Sequence, residues 1–153
     1  MGFNKVKHIL RALPVVSVLV LGWLSHQDGA ETVDQSYVIL NKLLHLNIKI
    51  DYYFFRDLMH LFAFFVIGLT LYVAMNHFEP PKLKAVLVTL FLLPLIAGLD
   101  EYHQSFIPGR TPSIKDIQLD LAGGIGGLLV GIVIAYTMYQ ILLKFRYKRN
   151  PVH

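Results

Sequence analysis

The chain has 153 residues, enough for one domain, and 55% of them are hydrophobic, with a mean hydropathy of +0.53. This apolar share exceeds that of soluble globular domains and indicates a membrane protein. The formal charge of +4 does not indicate a nucleic-acid-binding protein, because the basic residues lie beside apolar segments instead of on one helix face. The lack of cysteine excludes disulfides and thiolate zinc sites.

Four apolar segments predict an all-α bundle of four transmembrane helices, because one crossing needs roughly 20 residues. The predicted spans cover about residues 9–24, 58–76, 83–100 and 120–143. The first span resembles a signal peptide, but no clear cleavage site follows it, so we expect it to be retained. The third span is short, so either Lys84 reaches toward the membrane surface or the helix continues through residues 100–104.

The connection between the first two spans carries apolar side chains at helical spacing. The positions concerned are Val33, Tyr37, Leu40, Leu43 and Leu44. They predict either an interfacial helix that lies flat on the outer membrane surface or a short helix packed on the bundle.

The distribution of Lys and Arg predicts the orientation of the bundle. Nine of them lie in the N-terminal segment, in the turn between the second and third spans and in the C-terminal tail, whereas five lie in the other two connections. Because cytoplasmic segments carry the excess of basic residues, we expect both termini in the cytoplasm. The stretch Asp100–Asp116 then faces outward from the cell membrane.

The fourth span carries a ridge of small residues. Gly123, Gly127 and Gly131 are followed at the same spacing by Ala135. Small residues four apart let helix backbones approach closely in lipid, so the ridge predicts helix packing, either within the chain or between two copies. A phosphate-binding glycine loop is not indicated, because no strand precedes these glycines.

The four-span topology brings several polar residues to one membrane face, where we expect a polar, ligand-binding cluster. Its predicted members are His60, Glu101, Gln104, Arg110, Asp116 and Asp120. Asp120 lies one turn inside its span, and a bare carboxylate costs up to about 2.5–3.5 kcal/mol at the bilayer centre. We therefore expect it to have a partner, either His60 or Arg110.

Simpler roles are open for most of these residues. Asp116 follows Ser113 at the spacing of a helix cap, so capping alone would account for it. Arg110 could equally anchor the chain at the membrane surface, and His60 could be a hydrogen-bonded structural residue. Three further residues are expected to face solvent or headgroups: Asp57, Asp100 and His103.

Several short motifs carry a family resemblance. The most specific block joins DEYHQ (residues 100–104) and FIPGR (106–110) to Asp116 and to DLAG (120–123). Weaker matches are SHQ (25–27) and FRDLMH (55–60) with Gly68. Together they resemble the VanZ-like family over nearly the whole chain. Two positions differ from the family pattern: Asp57 stands where Lys is usual, and Ala63 stands where many members have Glu. Because that Glu is absent, no role that needs a carboxylate one turn from His60 is expected.

The resemblance implies a small four-span bacterial membrane protein of the cell envelope. The namesake of the family confers low-level resistance to the glycopeptide teicoplanin, and no enzymatic reaction is firmly attached to the family. Such antibiotics act on cell-wall precursors outside the membrane, which agrees with the outward side expected for the polar residues. Resistance itself is not carried over to this chain.

Two functions fit the polar residues. In a binding protein, Arg110 would hold the phosphate or carboxylate of an anionic envelope lipid or cell-wall precursor, oriented by Glu101 and Asp116, with Gln104 as donor and acceptor. In a membrane enzyme acting on a lipid-linked substrate, Glu101 would be general base and His60 general acid or metal ligand, while Arg110 would stabilise developing negative charge. No nucleophile–base pair or metal-ligand spacing stands out, so binding is favoured, without a metal or cofactor.

Overall fold

The computed structural model describes residues 2–26, 52–77 and 80–149, and these ranges contain four α-helices and no strand. The helices are α1 (Gly2–Ser25), α2 (Tyr52–Asn76), α3 (Leu83–Gln104) and α4 (Ile114–Arg149). Each contains a segment long and apolar enough to cross a membrane, and the predicted all-α class is confirmed. The expected interfacial helix around residues 33–44 lies outside the described residues.

Two helix ends bear directly on the polar residues. The helix α3 does not stop at residue 100 but continues to Gln104, which is the second of the two arrangements expected from its short apolar run. The helix α4 begins at Ile114, several residues before the predicted span. Its 36 residues span about 54 Å, which is more than the roughly 30 Å of bilayer hydrocarbon.

Consecutive helices run in opposite directions. At one end of the bundle, Arg11 Nε of α1 donates a hydrogen bond to His77 Nε2, just after α2, at 3.2 Å. At the other end, Ser25 Oγ, the last residue of α1, donates to Asp100 Oδ1 near the end of α3 at 2.6 Å. The ends of α1 and α3 therefore meet the beginnings of α2 and α4, and we call this the polar end of the bundle.

The glycine ridge of α4 packs against α2 of the same chain, which answers the question that the sequence left open. A Cβ added to Gly123 would collide with the backbone carbonyl of Leu61, and one added to Gly127 with the carbonyl of Phe65. Gly131 continues the contact against side chains of α2. Only glycine allows backbones to approach so closely, because any side chain would push the two helices apart.

A small apolar core lies below the polar end, and the outer faces of the helices are also apolar. Phe64, Ile67, Leu93 and Ala97 are almost completely buried between the helices. Many large apolar residues point away from the core instead, among them Leu19, Trp23, Leu87, Phe91, Leu129 and Val133. A helix that is apolar on all sides is typical of a membrane span, whose outer face contacts lipid instead of water.

Candidate functional site

The contact between α2 and α4 places a histidine against an aspartate at the polar end. His60 Nδ1 lies 2.9 Å from Asp120 Oδ1, and both side chains are buried. The other ring nitrogen of His60, Nε2, is 4.0 Å from Asp116 Oδ2. Asp120 and Asp116 share one face of α4 because they are four residues apart. Of the two partners expected for Asp120, the structure therefore gives His60.

Asp116 forms an ion pair with Arg56, one helical turn before His60 on α2. Only 3% of the Asp116 side chain is exposed, against 24% for Arg56. Ser113 does occupy the position just before α4, and its carbonyl accepts hydrogen bonds from the N–H groups of Asp116 and Ile117. Asp116 thus lies at the third position of α4, as the cap pattern predicts, but its carboxylate pairs with a cation from a neighbouring helix and the Ser113 N–H donates to Glu101 instead.

Asp100 is buried, so the expectation that it faces solvent or headgroups is wrong. It is 6% exposed, and its two carboxylate oxygens are both hydrogen-bonded. Ser25 Oγ donates to Oδ1 at 2.6 Å, and Gln104 Nε2 donates to Oδ2 at 2.7 Å. The reason is the continuation of α3 through Gln104, which turns Asp100 toward the inside of the bundle. Both donors are uncharged, so neither of them neutralises the carboxylate of Asp100.

Glu101 is held by the backbone at the start of α4. The N–H of Ser113 donates to Glu101 Oε2 at 2.6 Å. The other oxygen, Oε1, is buried and has no hydrogen-bond partner among the described residues. Glu101 is 4% exposed, so this oxygen is not simply turned toward solvent.

The turn between α3 and α4 carries Arg110 and allows the two helices to meet. Its backbone is closed by hydrogen bonds from Ile107 N–H to the Gln104 carbonyl and from Arg110 N–H to the Ile107 carbonyl. Gly109 has a φ of 80°, which glycine adopts far more readily than residues with a side chain. Gly109 is thus suited to the turn that returns the chain toward α4.

Arg110 itself is not joined to the acidic residues. It makes no ion pair with any residue that the structure describes. Its guanidinium Nε is buried and has no hydrogen-bond partner there. The partnership of Arg110 with Asp120, one of the two expected from the sequence, is therefore not present. Arg110 remains a cation at the polar end of the bundle that no carboxylate of the described chain neutralises.

Four side chains meet closely enough to act as one group, which we call the carboxylate cluster. His60, Asp100, Glu101 and Asp120 are all buried, and each offers a nitrogen or oxygen atom within 4.8 Å of those of the others. Gln104, which is completely buried, adjoins the cluster through Asp100, and its Oε1 is also without a partner in the described chain. The charges of the cluster are not balanced by Arg56, because that residue pairs with Asp116.

The sequence predicted most of these residues to lie at one membrane face but did not predict the contacts of Arg56, Ser25 or Asp100. Ser25 was noted only as part of a weak family motif, and Asp100 was assigned to the surface. If α3 is taken to continue through Gln104, then Asp100, Glu101 and Gln104 occupy adjacent positions on one side of the helix. The burial of Asp100 can be predicted from that arrangement. The role of Ser25 depends on the α1–α3 contact, for which the sequence carries no local signal.

The family model VanZ/LLP1 matches residues 12–143, which include all of α2 and α3, part of α1, most of α4 and every residue of the carboxylate cluster. The chain belongs to the VanZ/LLP1 family. Searches of the curated proteins and of the solved structures found no match. Membership of this family and the four apolar helices indicate a multi-pass membrane protein.

The Arg56–Asp116 pair predicts a large cost for its removal. Replacing Arg56 with Ala leaves the buried carboxylate of Asp116 without its cation, and such a change costs about 3–5 kcal/mol of stability. The matched control is Lys115→Ala, which breaks the ion pair of Lys115 with Asp57 at 2.6 Å. That pair is exposed and is worth no more than about 1 kcal/mol.

The measurement is denaturant unfolding of the purified protein in detergent, followed by helix content. We expect Arg56→Ala to lower the free energy of unfolding much more than Lys115→Ala. Equal losses for the two variants would show that the buried pair has no special importance.

Proposed function

We propose that this VanZ-like protein binds an anionic component of the cell envelope at the outer surface of the membrane. The ligand class is a lipid phosphate or the phosphate or carboxylate of a cell-wall precursor. Arg110 would contact the anion directly, since a guanidinium group matches these planar or tetrahedral anions with two parallel hydrogen bonds.

The observation that carries this proposal is the guanidinium of Arg110, which pairs with no carboxylate of the described chain. Asp116 is paired with Arg56, and Asp100 is bonded to Ser25 and Gln104. Glu101 accepts from the backbone N–H of Ser113. A cation with a buried, unpartnered N–H loses hydration without gaining an internal partner, so an external anion would compensate for that loss.

The lipid bilayer supplies both the surroundings and a source of such anions. The polar end of the bundle coincides with the ends of four membrane-crossing segments, so Arg110 would lie near the headgroup level. Two exposed aromatic residues lie near Arg110 in the sequence: Tyr102 at the end of α3 and Phe106 in the turn that follows. Aromatic side chains favour the interface between lipid and water, which agrees with a headgroup position for the turn.

A second candidate is a membrane enzyme that acts on a lipid-linked substrate. It is favoured by the contact of His60 with Asp120, because a carboxylate that orients an imidazole is a common arrangement for general acid–base chemistry. The free Oε1 of Glu101 could accept a proton in such a site. Binding is still preferred, since no nucleophile lies in hydrogen-bond contact with His60 in the described chain.

The binding proposal predicts a loss of anionic-lipid affinity in Arg110→Gln. A charge-assisted hydrogen bond contributes about 1.5–3 kcal/mol, so affinity should fall by roughly tenfold to a hundredfold. The probe is short-chain phosphatidylglycerol, with phosphatidylcholine as the neutral lipid, and bound lipid is counted by native mass spectrometry of the purified protein. Lys115→Gln is the control, because it removes an exposed cation at the same end of the bundle.

We expect Lys115→Gln to bind phosphatidylglycerol as the unaltered chain does. Equal affinity of the unaltered chain for the two lipids, or equal loss in the two variants, would contradict the proposal. A chemically altered lipid in the same incubation would favour the enzyme instead.

The outward orientation makes a separate prediction. The chain contains no cysteine, so single cysteines can report which side of the membrane a residue occupies. Thr111→Cys lies in the exposed turn at the polar end, and Pro80→Cys lies in the exposed turn at the opposite end. In intact spheroplasts, a membrane-impermeant maleimide should label Thr111→Cys, whereas Pro80→Cys should react only after lysis. The reverse pattern would place the polar end in the cytoplasm.

A further inference from the structure

We propose that the carboxylate cluster is a binding site for one divalent transition-metal ion, held by His60, Asp100, Glu101 and Asp120. This site goes beyond the anion binding proposed for Arg110, which uses a different side chain. From the sequence only His60 is a candidate metal ligand, because the four ligands come from three helices and have no characteristic spacing.

The ligand atoms of the four residues lie close together. One nitrogen or oxygen from each of the four residues lies within 4.8 Å of the others. Metal bonds to imidazole nitrogen and carboxylate oxygen are about 2.0–2.2 Å long, so two ligands on opposite sides of one ion are separated by about 4.2 Å. The cluster therefore needs only a small contraction to surround one ion.

Two carboxylate oxygens of the cluster are also free to bind an ion. Glu101 Oε1 and Asp120 Oδ2 are buried oxygens without a hydrogen-bond partner in the described chain. Both residues are buried, Glu101 at 4% exposed and Asp120 at 0%. Leaving a buried acceptor unsatisfied is costly, and a bound cation would satisfy both oxygens together.

The remaining carboxylate oxygens of the cluster are held in place by hydrogen bonds. Asp100 is fixed by Ser25 and Gln104, and Glu101 by the backbone N–H of Ser113. Hydrogen bonds of this kind orient metal-binding carboxylates and leave a lone pair on each oxygen for the ion. Asp120 is positioned in the same way, since one of its oxygens contacts His60 and the other is free.

The charges of the cluster also favour a bound cation. The cluster contains three carboxyl groups, while the donors that contact Asp100 and Glu101 are neutral. The guanidinium of Arg56 is already paired with Asp116. Bringing like charges together in an apolar bundle is unfavourable unless a cation separates them, and a divalent ion would offset most of that repulsion.

The ligand chemistry narrows the choice of ion. Carboxylate oxygens suit Mg²⁺, Ca²⁺ and Mn²⁺, whereas an imidazole nitrogen favours Mn²⁺, Fe²⁺ or Zn²⁺ over the alkaline-earth ions. A set of one imidazole and three carboxylates therefore fits Mn²⁺ or Zn²⁺ best. We choose Mn²⁺ as the probe because its electron paramagnetic resonance signal distinguishes bound from free ion.

The test is a titration of the full chain with Mn²⁺ after treatment with a chelator, in a neutral detergent without anionic lipid. We expect one bound Mn²⁺ per chain, displaced by Zn²⁺ but not by an equal concentration of Mg²⁺. Glu101→Gln removes one charged ligand but keeps an oxygen that can accept from Ser113 N–H. The Mn²⁺ affinity of Glu101→Gln should fall at least about a hundredfold. Gln104→Ala loses only a supporting hydrogen bond, so its Mn²⁺ affinity should fall by about 10–100-fold.

Asp57→Asn is the matched control, because Asp57 is an acid at the same end of the bundle that contacts Lys115 and lies outside the cluster. It should bind Mn²⁺ like the unaltered chain. The proposal is overturned if the unaltered chain binds no stoichiometric Mn²⁺, or if Asp57→Asn and Glu101→Gln lose affinity equally. Size-exclusion chromatography of each variant shows whether it is folded, and a folded Glu101→Gln that binds Mn²⁺ normally would also refute the site. Because no anionic lipid is present, these outcomes are separate from those that test Arg110.

Discussion

The close approach of two helix backbones is the constraint on which the polar end depends. Gly123 and Gly127 of α4 lie directly against the backbone carbonyls of Leu61 and Phe65 on α2, where no Cβ would fit. The two pairs have the same spacing of four residues, so they fix how far one helix slides along the other. With that register set, His60, next to Leu61, meets Asp120, one turn before Gly123. The acids and the glycines occupy one continuous face of α4.

This constraint explains how an apolar bundle tolerates so many buried ionisable groups. Polar side chains inside a membrane protein are costly unless they bond to one another, to water or to a ligand. Part of the group satisfies this requirement internally, through Arg56 with Asp116 and His60 with Asp120. The free oxygens of Glu101 and Asp120 and the free Nε of Arg110 do not. We therefore expect external ligands of both signs, a cation at the cluster and an anion at the turn.

The sequence was sufficient for the fold, because membrane helices carry strong local signals. Each of these signals depends on residues close together in the chain. They are the four apolar runs, the glycine spacing in the fourth run and the cap-like Ser113–Asp116 pattern. The partner of Asp120 and the burial of Asp100 were harder to predict, since they depend on how α3 ends and on which helices touch. Depth in the membrane placed Arg110 and Asp120 at similar levels, but depth alone does not say which side chains meet. The contact of Ser25 with Asp100 joins residues 75 positions apart and has no counterpart in any local pattern.

The most direct test of this account is the stability of Gly127→Ala compared with Gly98→Ala, each purified in the same detergent and unfolded by heat. A methyl group at Gly127 would meet the Phe65 carbonyl, whereas nothing lies within 4 Å of one at Gly98. Overpacking costs about 1–3 kcal/mol, and backbone cannot move aside as a side chain can, so Gly127→Ala should unfold at a clearly lower temperature than the unaltered chain. Gly98→Ala should match or exceed the unaltered chain, because alanine favours a helix over glycine. If the two variants unfold at the same temperature, α2 and α4 do not approach as described, and the arrangement of His60 and Asp120 loses its basis.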